Sequence, residues 1–252
     1  MEKPINEFPS INQNSKTPDR FIVANGSFRI GKEKLIKVLY EDEAYIVFDK
    51  PAGLLVIPTP KNEPNTLVNI VNHQYAAAEG VPKLHPCHRL DRETSGVIVF
   101  AKGKHHQQLL MEAFQKRLVK KKYILFIHGR LKQPSGEIRN AIQDLDHRGY
   151  RPRGKGKSAL TRFRVLQVKK KFTVVEAEPV TGRTNQIRIH FSQEGFPLVG
   201  DRKFSIASEY TLKFRRTALH AKSIEWVHPI TRKLIKISSD LPEDMEVLLA
   251  RS

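Results

Sequence analysis

Residues 88 to 102, His-Arg-Leu-Asp-Arg-Glu-Thr-Ser-Gly-Val-Ile-Val-Phe-Ala-Lys, constrain the fold more than any other stretch of the chain. A Thr-Ser-Gly turn runs straight into an unbroken apolar segment, Gly96 to Ala101. A run this short, bounded by a turn, reads as a strand of the buried type. On the approach to it stands Asp91, between Arg89 and Arg92. Flanking cations favour the ionised carboxylate where it leaves water. An ionised acid at a strand end, in a chain of formal charge +18, points to chemistry on a polyanion.

The rest of the pattern predicts the company this strand keeps. Ala44 to Asp49 reads as a short apolar strand that enters a turn at Lys50-Pro51-Ala52-Gly53. Thr66 to Ala78 places Leu67, Ile70, Val71 and Tyr75 on one helical face, with Asn65 or Thr66 as cap. Lys104 to Leu118 places Leu109, Leu110, Ala113, Phe114 and Leu118 at helical spacing. Tyr123 to His128 and Phe172 to Ala177 read as strands. Thr184 to Gly195 alternates like a strand at Ile187, Ile189 and Phe191, but a cap at Thr184 and a stop at Gly195 favour a helix. Leu219 to Val227 and Leu234 to Ile237 read as strands joined by a turn at Pro229, with a last helix after a cap at Asp240. Strands and helices mix without regular βαβ repeats, which predicts an α+β fold on a mixed, mostly antiparallel sheet. The polar, Pro-bearing residues 1–20 read as a flexible arm, and residues 21–252 as one domain.

Charge and cysteine narrow the function. Forty-four Lys+Arg stand against 26 Asp+Glu, and residues 148–171 hold ten Lys or Arg with no acid. A second cluster runs from Lys116 to Lys122. Clustered charge of this kind favours contact with nucleic acid. Cys87 is the single cysteine, which excludes an internal disulfide and fits a reducing compartment. The first twenty residues lack the apolar core of a secretion signal, and no apolar run approaches the ~18 residues that span a bilayer. A cytoplasmic protein is expected.

Several familiar chemistries fit poorly. His85, Cys87 and His88 have no second ligand cluster to complete a structural zinc site. Gly149 to Gly156 resembles a phosphate loop but fails in both registers: Gly156 follows Gly154-Lys155 where Ser or Thr is needed, and Arg151 replaces the leading glycine of Lys157-Ser158. Ser95 lacks a nucleophile elbow because Glu93 occupies its first glycine position. For Asp91 the local chemistry leaves two readings open, an ion-paired turn aspartate or a reactive acid.

Three further segments weigh on that choice. Residues 88 to 102 closely resemble the signature of RluA-family pseudouridine synthases, His-Arg-Leu-Asp-x-x-Thr-Ser-Gly with Ala-Lys following. Tyr40-Glu41-Asp42 through Val47 to Lys50-Pro51-Ala52-Gly53, closing at Val56 and Pro58, resembles that family's first motif. Gly182-Arg183-Thr184-Asn185-Gln186-Ile187-Arg188-Ile189-His190 resembles the third, with Asn185 where the family usually has His. Gly200-Asp201, Ala218-Leu219-His220-Ala221 and His228-Pro229 match its C-terminal landmarks, with Phe204-Ser205 in place of Tyr-Gly. The resemblance runs from about Lys37 to Leu249.

It implies Asp91 as the catalytic aspartate, Tyr123 as the active-site tyrosine, Arg188 as the arginine that pairs with the aspartate, and Arg89 as a side chain able to occupy the space of an extracted base. The two departures fall outside these four positions and bear on local packing and target choice. It also implies a sheet in two halves with the catalytic cleft between them. A separate small RNA-binding domain is not expected in the about 36 residues before the resemblance begins.

The implied reaction breaks the bond from ribose to N1 of uracil, turns the base and joins C5 to the ribose. It changes no oxidation state, so no cofactor and no metal are expected. It needs a charged acid sheltered from water, which Arg188 beside Asp91 would favour. Tyr123 offers uracil a flat face and a hydroxyl. The residues leave open whether the acid attacks the base, attacks the ribose or removes a ribose proton. The target has to leave its stack, at a few kcal/mol, and basic side chains offset that. Arg89, Arg92 and Arg183 beside the motifs, and Lys155, Lys157 and Arg162 in the basic stretch, are the expected RNA contacts. The expected partner is structured ribosomal or transfer RNA, and a monomer is expected. A non-catalytic RNA-binding protein of the same fold, and a nucleoside hydrolase, are the competing readings.

Overall fold

The computed structural model describes residues 27–30, 34–76, 82–145, 152–205, 212 and 214–251. The arm expected at residues 1–20 lies outside them. Fifteen elements follow in chain order: β1 (Ser27–Ile30), β2 (Lys34–Glu41), β3 (Tyr45–Lys50), α1 (Leu67–Ala76), β4 (Leu84–Pro86), β5 (Ser95–Lys102), α2 (Lys104–Gln115), β6 (Lys120–Ile127), β7 (Ser135–Leu145), β8 (Pro152–Val168), β9 (Thr173–Pro179), α3 (Gln186–Gln193), β10 (Leu219–Val227), β11 (Leu234–Ser238) and α4 (Glu243–Ala250). The strands form one sheet in the order β1-β2-β3-β5-β10-β6-β9-β8-β7, with β4 on β5 and β11 on β10 off that path.

β5 is buried on both faces. Ile98 and Phe100 join a core with α1 (Leu67, Val71) and α3 (Ile187, Phe191), while Val97, Val99 and Ala101 join a second core with Leu110 of α2 and Trp226. Among the described pairs of named strands only β5–β10 is parallel, and it is short: His220 meets Ser95 and Ala221 meets Gly96. This is the seam between the two halves of the sheet. Gly96 has φ +107°, and a Cβ there would lie 2.3 Å from the Ala221 carbonyl oxygen, so the seam closes only on glycine.

Three predicted helix ends move. α2 stops at Gln115, short of Leu118, because Arg117 adopts φ 59°. The Arg117 N–H then donates to the Phe114 carbonyl and the Leu118 N–H to that of Ala113, a Schellman closure. Leu118 is left 64% exposed, and Val119 enters the core in its stead. α3 forms as favoured and ends at Gly195, but its N-cap is Asn185, not Thr184. Similarly, α4 starts beyond Pro242 rather than at Asp240, with Glu243, Asp244 and Glu246 in its first turn where the helix dipole favours acids. Thr66 does cap α1: its hydroxyl accepts the Asn69 N–H at 3.4 Å. The long β7–β8 hairpin was not separable from loop by sequence pattern.

Candidate active site

The seam opens into a cleft of about 1260 Å³ that runs from the loop before β5 to the start of α3 and along one side of α2. Asp91, Arg89 and Arg92 line it from the first half, Tyr123 and Lys121 from β6, and Arg183 and Arg188 from around α3.

The Asp91 loop is fastened from behind. The Thr94 N–H donates to the Asp91 carbonyl at 3.1 Å, closing the turn. The Arg92 carbonyl accepts the Gly53 N–H at 2.8 Å and the Lys50 Nζ at 3.2 Å. Lys50 is fully buried and also donates to the carbonyls of Leu54 (2.7 Å) and Pro51 (3.0 Å). Burial lowers its ammonium to about pH 7, helped by Arg216 and resisted by the Asp91 charge. Glu93 accepts the Thr217 N–H (2.9 Å) and hydroxyl (2.8 Å), and Arg216, locked to Asp244 by two hydrogen bonds, donates to the Glu93 carbonyl at 3.2 Å. The result is an acid at the tip of a loop whose backbone has little freedom.

Arg188 approaches from the other half. Its Nη1 stands 3.4 Å from Asp91 Oδ2, an ion pair across the seam. Arg89 and Arg92, the sequence neighbours, are exposed and make no ion pair with Asp91. The tighter partner of Arg188 is Asp201, which accepts Nε at 2.6 Å and Nη2 at 2.9 Å in the two-pronged geometry of a guanidinium on a carboxylate. Asp201 is buried, and burial pushes its carboxyl up. The Arg188 hydrogen bonds and charge, with the Phe204 and Lys203 N–H groups, outweigh that and hold it below the usual range. Burial works against the Arg188 charge too, and the two acids overcome it. Gly200 sets up this corner at φ +77°, where a Cβ would meet the Arg216 carbonyl oxygen at 2.0 Å.

Both departures from the family pattern touch Arg188, whereas they were expected to leave the four site positions untouched and to bear on local packing and target choice. Asn185 Oδ1 accepts Arg188 Nη1 at 2.8 Å, and the Phe204 ring lies under the guanidinium at 4.9 Å. Asn185 sits at φ 54° and makes no side-chain cap, because its amide is engaged with Arg188. α3 is instead pinned by Gln186: its amide nitrogen donates to the Leu160 carbonyl (2.9 Å) and Thr161 hydroxyl (3.0 Å), while its oxygen accepts from Thr181 (2.7 Å) and the Arg183 N–H (3.0 Å).

Tyr123 is buried between Ala177 of β9 and Ala221 of β10, whose small side chains leave the ring a slot. Burial, then the Asp91 charge, raise its phenol above the ordinary value. At neutral pH it is therefore a donor and a flat surface, not a base. Asp91 keeps 32% of its side-chain surface exposed, so only a bound molecule completes its removal from water.

The remaining expected RNA contacts divide. Arg183 lies at the cleft, its Nε 3.4 Å from the Ser158 carbonyl. Lys155, Lys157 and Arg162 belong to β8; Lys157 and Arg162 do not line the cleft, and Arg162 is paired with Glu137 at 2.9 Å. Metal ligation finds no support in the geometry: His88 Nε2 accepts the Val99 N–H at 3.1 Å, and burial pushes the Cys87 thiol up to about 12. Among the described residues no group of three or more His, Cys, Asp or Glu could hold an ion. Sequence alone predicts no role for Lys50 or Asp201, although both lie within the motifs Lys50-Pro51-Ala52-Gly53 and Gly200-Asp201.

Comparison with known proteins then decides the family. Residues 44–193 match the family model for RNA pseudouridylate synthases. The chain belongs to that family, in its RluA branch. The synthase is 35% identical over 217 residues to the uncharacterized RNA pseudouridine synthase YhcT of Bacillus subtilis, covering 84% of this chain and 71% of that one. It is 36% identical over 228 residues to ribosomal large subunit pseudouridine synthase D of Xylella fastidiosa, covering 85% and 69%. The solved structure of human RNA pseudouridylate synthase domain containing 4 shares the fold, with TM-score 0.71 and 24% identity over 85% of this chain and 92% of that one. The synthase is thus an isomerase acting on uridine in RNA. No helix among the described residues is long and apolar enough to cross a membrane.

Proposed function

We propose that this synthase isomerises specific uridines in structured RNA with Asp91 as its catalytic acid residue, Tyr123 and Arg188 in support. The observation that carries this reading is the Asp91–Arg188 pair at 3.4 Å, formed across the seam on the wall of a cleft also lined by Tyr123. Arg188 is immobilised by Asp201, so its one remaining donor direction is fixed toward Asp91 and Asn185. A flipped uridine entering the cleft would lay its base on Tyr123 and cover the exposed part of Asp91. Excluding water strengthens both the carboxylate's reactivity and its pairing with Arg188. The C1′–N1 bond then breaks, the base turns against the phenol ring, C5 bonds to C1′, and the C5 proton is lost while N1 gains one. No electron is exchanged with any other group.

Arg89 and Arg92, exposed at the cleft, and Arg183 are the side chains placed to hold the RNA around the extruded nucleotide. Arg89 is the one suited to fill the gap in the stack. Lys155 and Lys157 on β8 would meet more distant backbone, as contacts made through charge alone. Ribosomal RNA is the favoured substrate over transfer RNA, because relatives of 31–36% identity carry the name ribosomal large subunit pseudouridine synthase. The enzyme would work as a monomer in the cytoplasm, residues 21–252 forming its catalytic domain.

The test is to map pseudouridine across total RNA from cells with the gene, without it, and with Asp91→Ala. Sites lost in both altered strains, in ribosomal RNA, are expected. An unchanged map in the Asp91→Ala strain, with sites lost only on deletion, would instead support an RNA-binding protein that does not use this acid.

A further inference from the structure

Lys121 differs from every other cation on β6. Lys120 pairs with Glu225 at 3.4 Å and Lys122 with Glu176 at 3.0 Å. Lys121, partly buried, makes no hydrogen bond or ion pair with any described residue, and its Nζ lies 5.7 Å from the centre of the Phe114 ring. His88, close enough to feel its charge, is held neutral by burial and supplies no counter-ion. On the open side stands Gly182, whose backbone is outside the left-handed region: glycine is not needed there for conformation, and its absent side chain leaves the ammonium facing the cleft, where a Cβ would come within 3.9 Å of Nζ.

An ammonium drawn out of water without an acid beside it is destabilising, and burial does pull its pKa down. Lys121 and Tyr123 are two residues apart on one strand, so their side chains leave the same face roughly 7 Å apart. Both line the cleft. That spacing is comparable to the distance from a nucleobase to the backbone phosphate of its own nucleotide.

We propose that Lys121, with the open face at Gly182, forms a phosphate subsite that takes a phosphodiester flanking the extruded uridine. The proposal rests on the placement of the uridine on Tyr123 argued above. The missing counter-ion of Lys121 is then the substrate itself, and the subsite contributes to binding only once a nucleotide has left the stack.

The test uses a synthetic RNA hairpin carrying the uridine that mapping assigns to this protein, bound to Asp91→Asn enzyme so that it stays unreacted. Replacing Lys121 by Met should raise Kd about tenfold near 0.1 M salt and flatten the slope of log Kd against log salt by about 0.7–0.9. A neutral methylphosphonate on one side of that uridine should weaken binding to the parent about tenfold and leave Lys121→Met unaffected, while Lys121→Arg should respond like the parent. Thermal stability separates this from a structural role: relief of an uncompensated charge should raise the Tm of Lys121→Met by about 2–4 °C. An unchanged salt slope, methylphosphonate penalties equal in parent and Lys121→Met, or a lowered Tm with intact affinity would overturn the proposal. Because these arms read binding alone, they stand apart from the Asp91→Ala mapping that tests the reaction.

Discussion

Three acceptors share the Arg188 guanidinium, and they share it unequally. Asp201 takes two hydrogen bonds at 2.6 and 2.9 Å, Asn185 takes one at 2.8 Å, and Asp91 stands at 3.4 Å. The long contact is the one that can tighten when substrate displaces water. Lysine at 188 keeps a charge but has no planar fork to divide between Asp201 and Asp91. Turnover of Arg188→Lys is expected to fall by about 100-fold (roughly 2.7 kcal/mol), with RNA affinity within threefold; single-turnover assays and filter binding check both, and wild-type turnover would refute the pairing. Asn185→Gly isolates the second acceptor, because glycine accepts φ 54° without strain. Its Tm should stay within about 2 °C while turnover drops about tenfold. If activity is untouched, the Asn185 amide does not orient Arg188. That Asp91 and Arg188 would meet was expected from their places in two long motifs, and they do pair across the seam, with Tyr123 lining the same cleft. The Arg188–Asp201 clamp was not expected: its two members lie in separate motifs, and only the turn of chain at Gly200 brings them together.

At the level of elements, local chemistry predicted what local chemistry decides. β3, β5, β6, β9 and the β10–β11 hairpin carry dense apolar runs and appear where the pattern put them. α3 was recognised by its Gly195 stop in spite of alternating Ile187, Ile189 and Phe191, and the Phe196 N–H closes that end on the Phe191 carbonyl at 2.8 Å. β7 and β8 escaped because few of their side chains reach the core, Ile138, Ile142, Ala159 and Thr161 among them, while charged residues such as Arg139, Lys157 and Arg162 point outward. What fixes that pair is main-chain pairing from Ser135↔Arg164 to Leu145↔Pro152, which no apolar count reveals. The seam is likewise a matter of backbone contact. In Gly96→Ala the new methyl meets the Ala221 carbonyl at 2.3 Å, so β5 and β10 have to separate where the two halves join. A loss of more than about 2 kcal/mol in urea unfolding is expected; a midpoint equal to wild type would show that the seam tolerates a side chain.

Across the whole molecule, buried histidines oppose folding in acid. Burial lowers His85, His128 and His190, and takes His88 to about 3 and His220 to about 4, against an ordinary value of 6.5. Below pH 6.5 the unfolded chain binds protons on these rings that the folded chain does not, so stability is complete above 6.5 and is lost progressively as pH falls toward 3. By pH 5 the loss should exceed about 2 kcal/mol, read from urea midpoints at constant salt; a midpoint that holds or rises from pH 7 to 5 would contradict buried neutral imidazoles. The same architecture that buries these rings brings an acid from one half of the sheet to a cation from the other, on the wall of the cleft. Whether that acid performs the isomerisation is most directly read from tritium release, since C5 of uridine loses its hydrogen only when the new bond forms. With RNA carrying 5-tritiated uridine, wild-type enzyme should release tritium and Asp91→Asn should release less than a thousandth as fast while binding the RNA within threefold. Release by Asp91→Asn within tenfold of wild type would mean that the reaction is carried by another group.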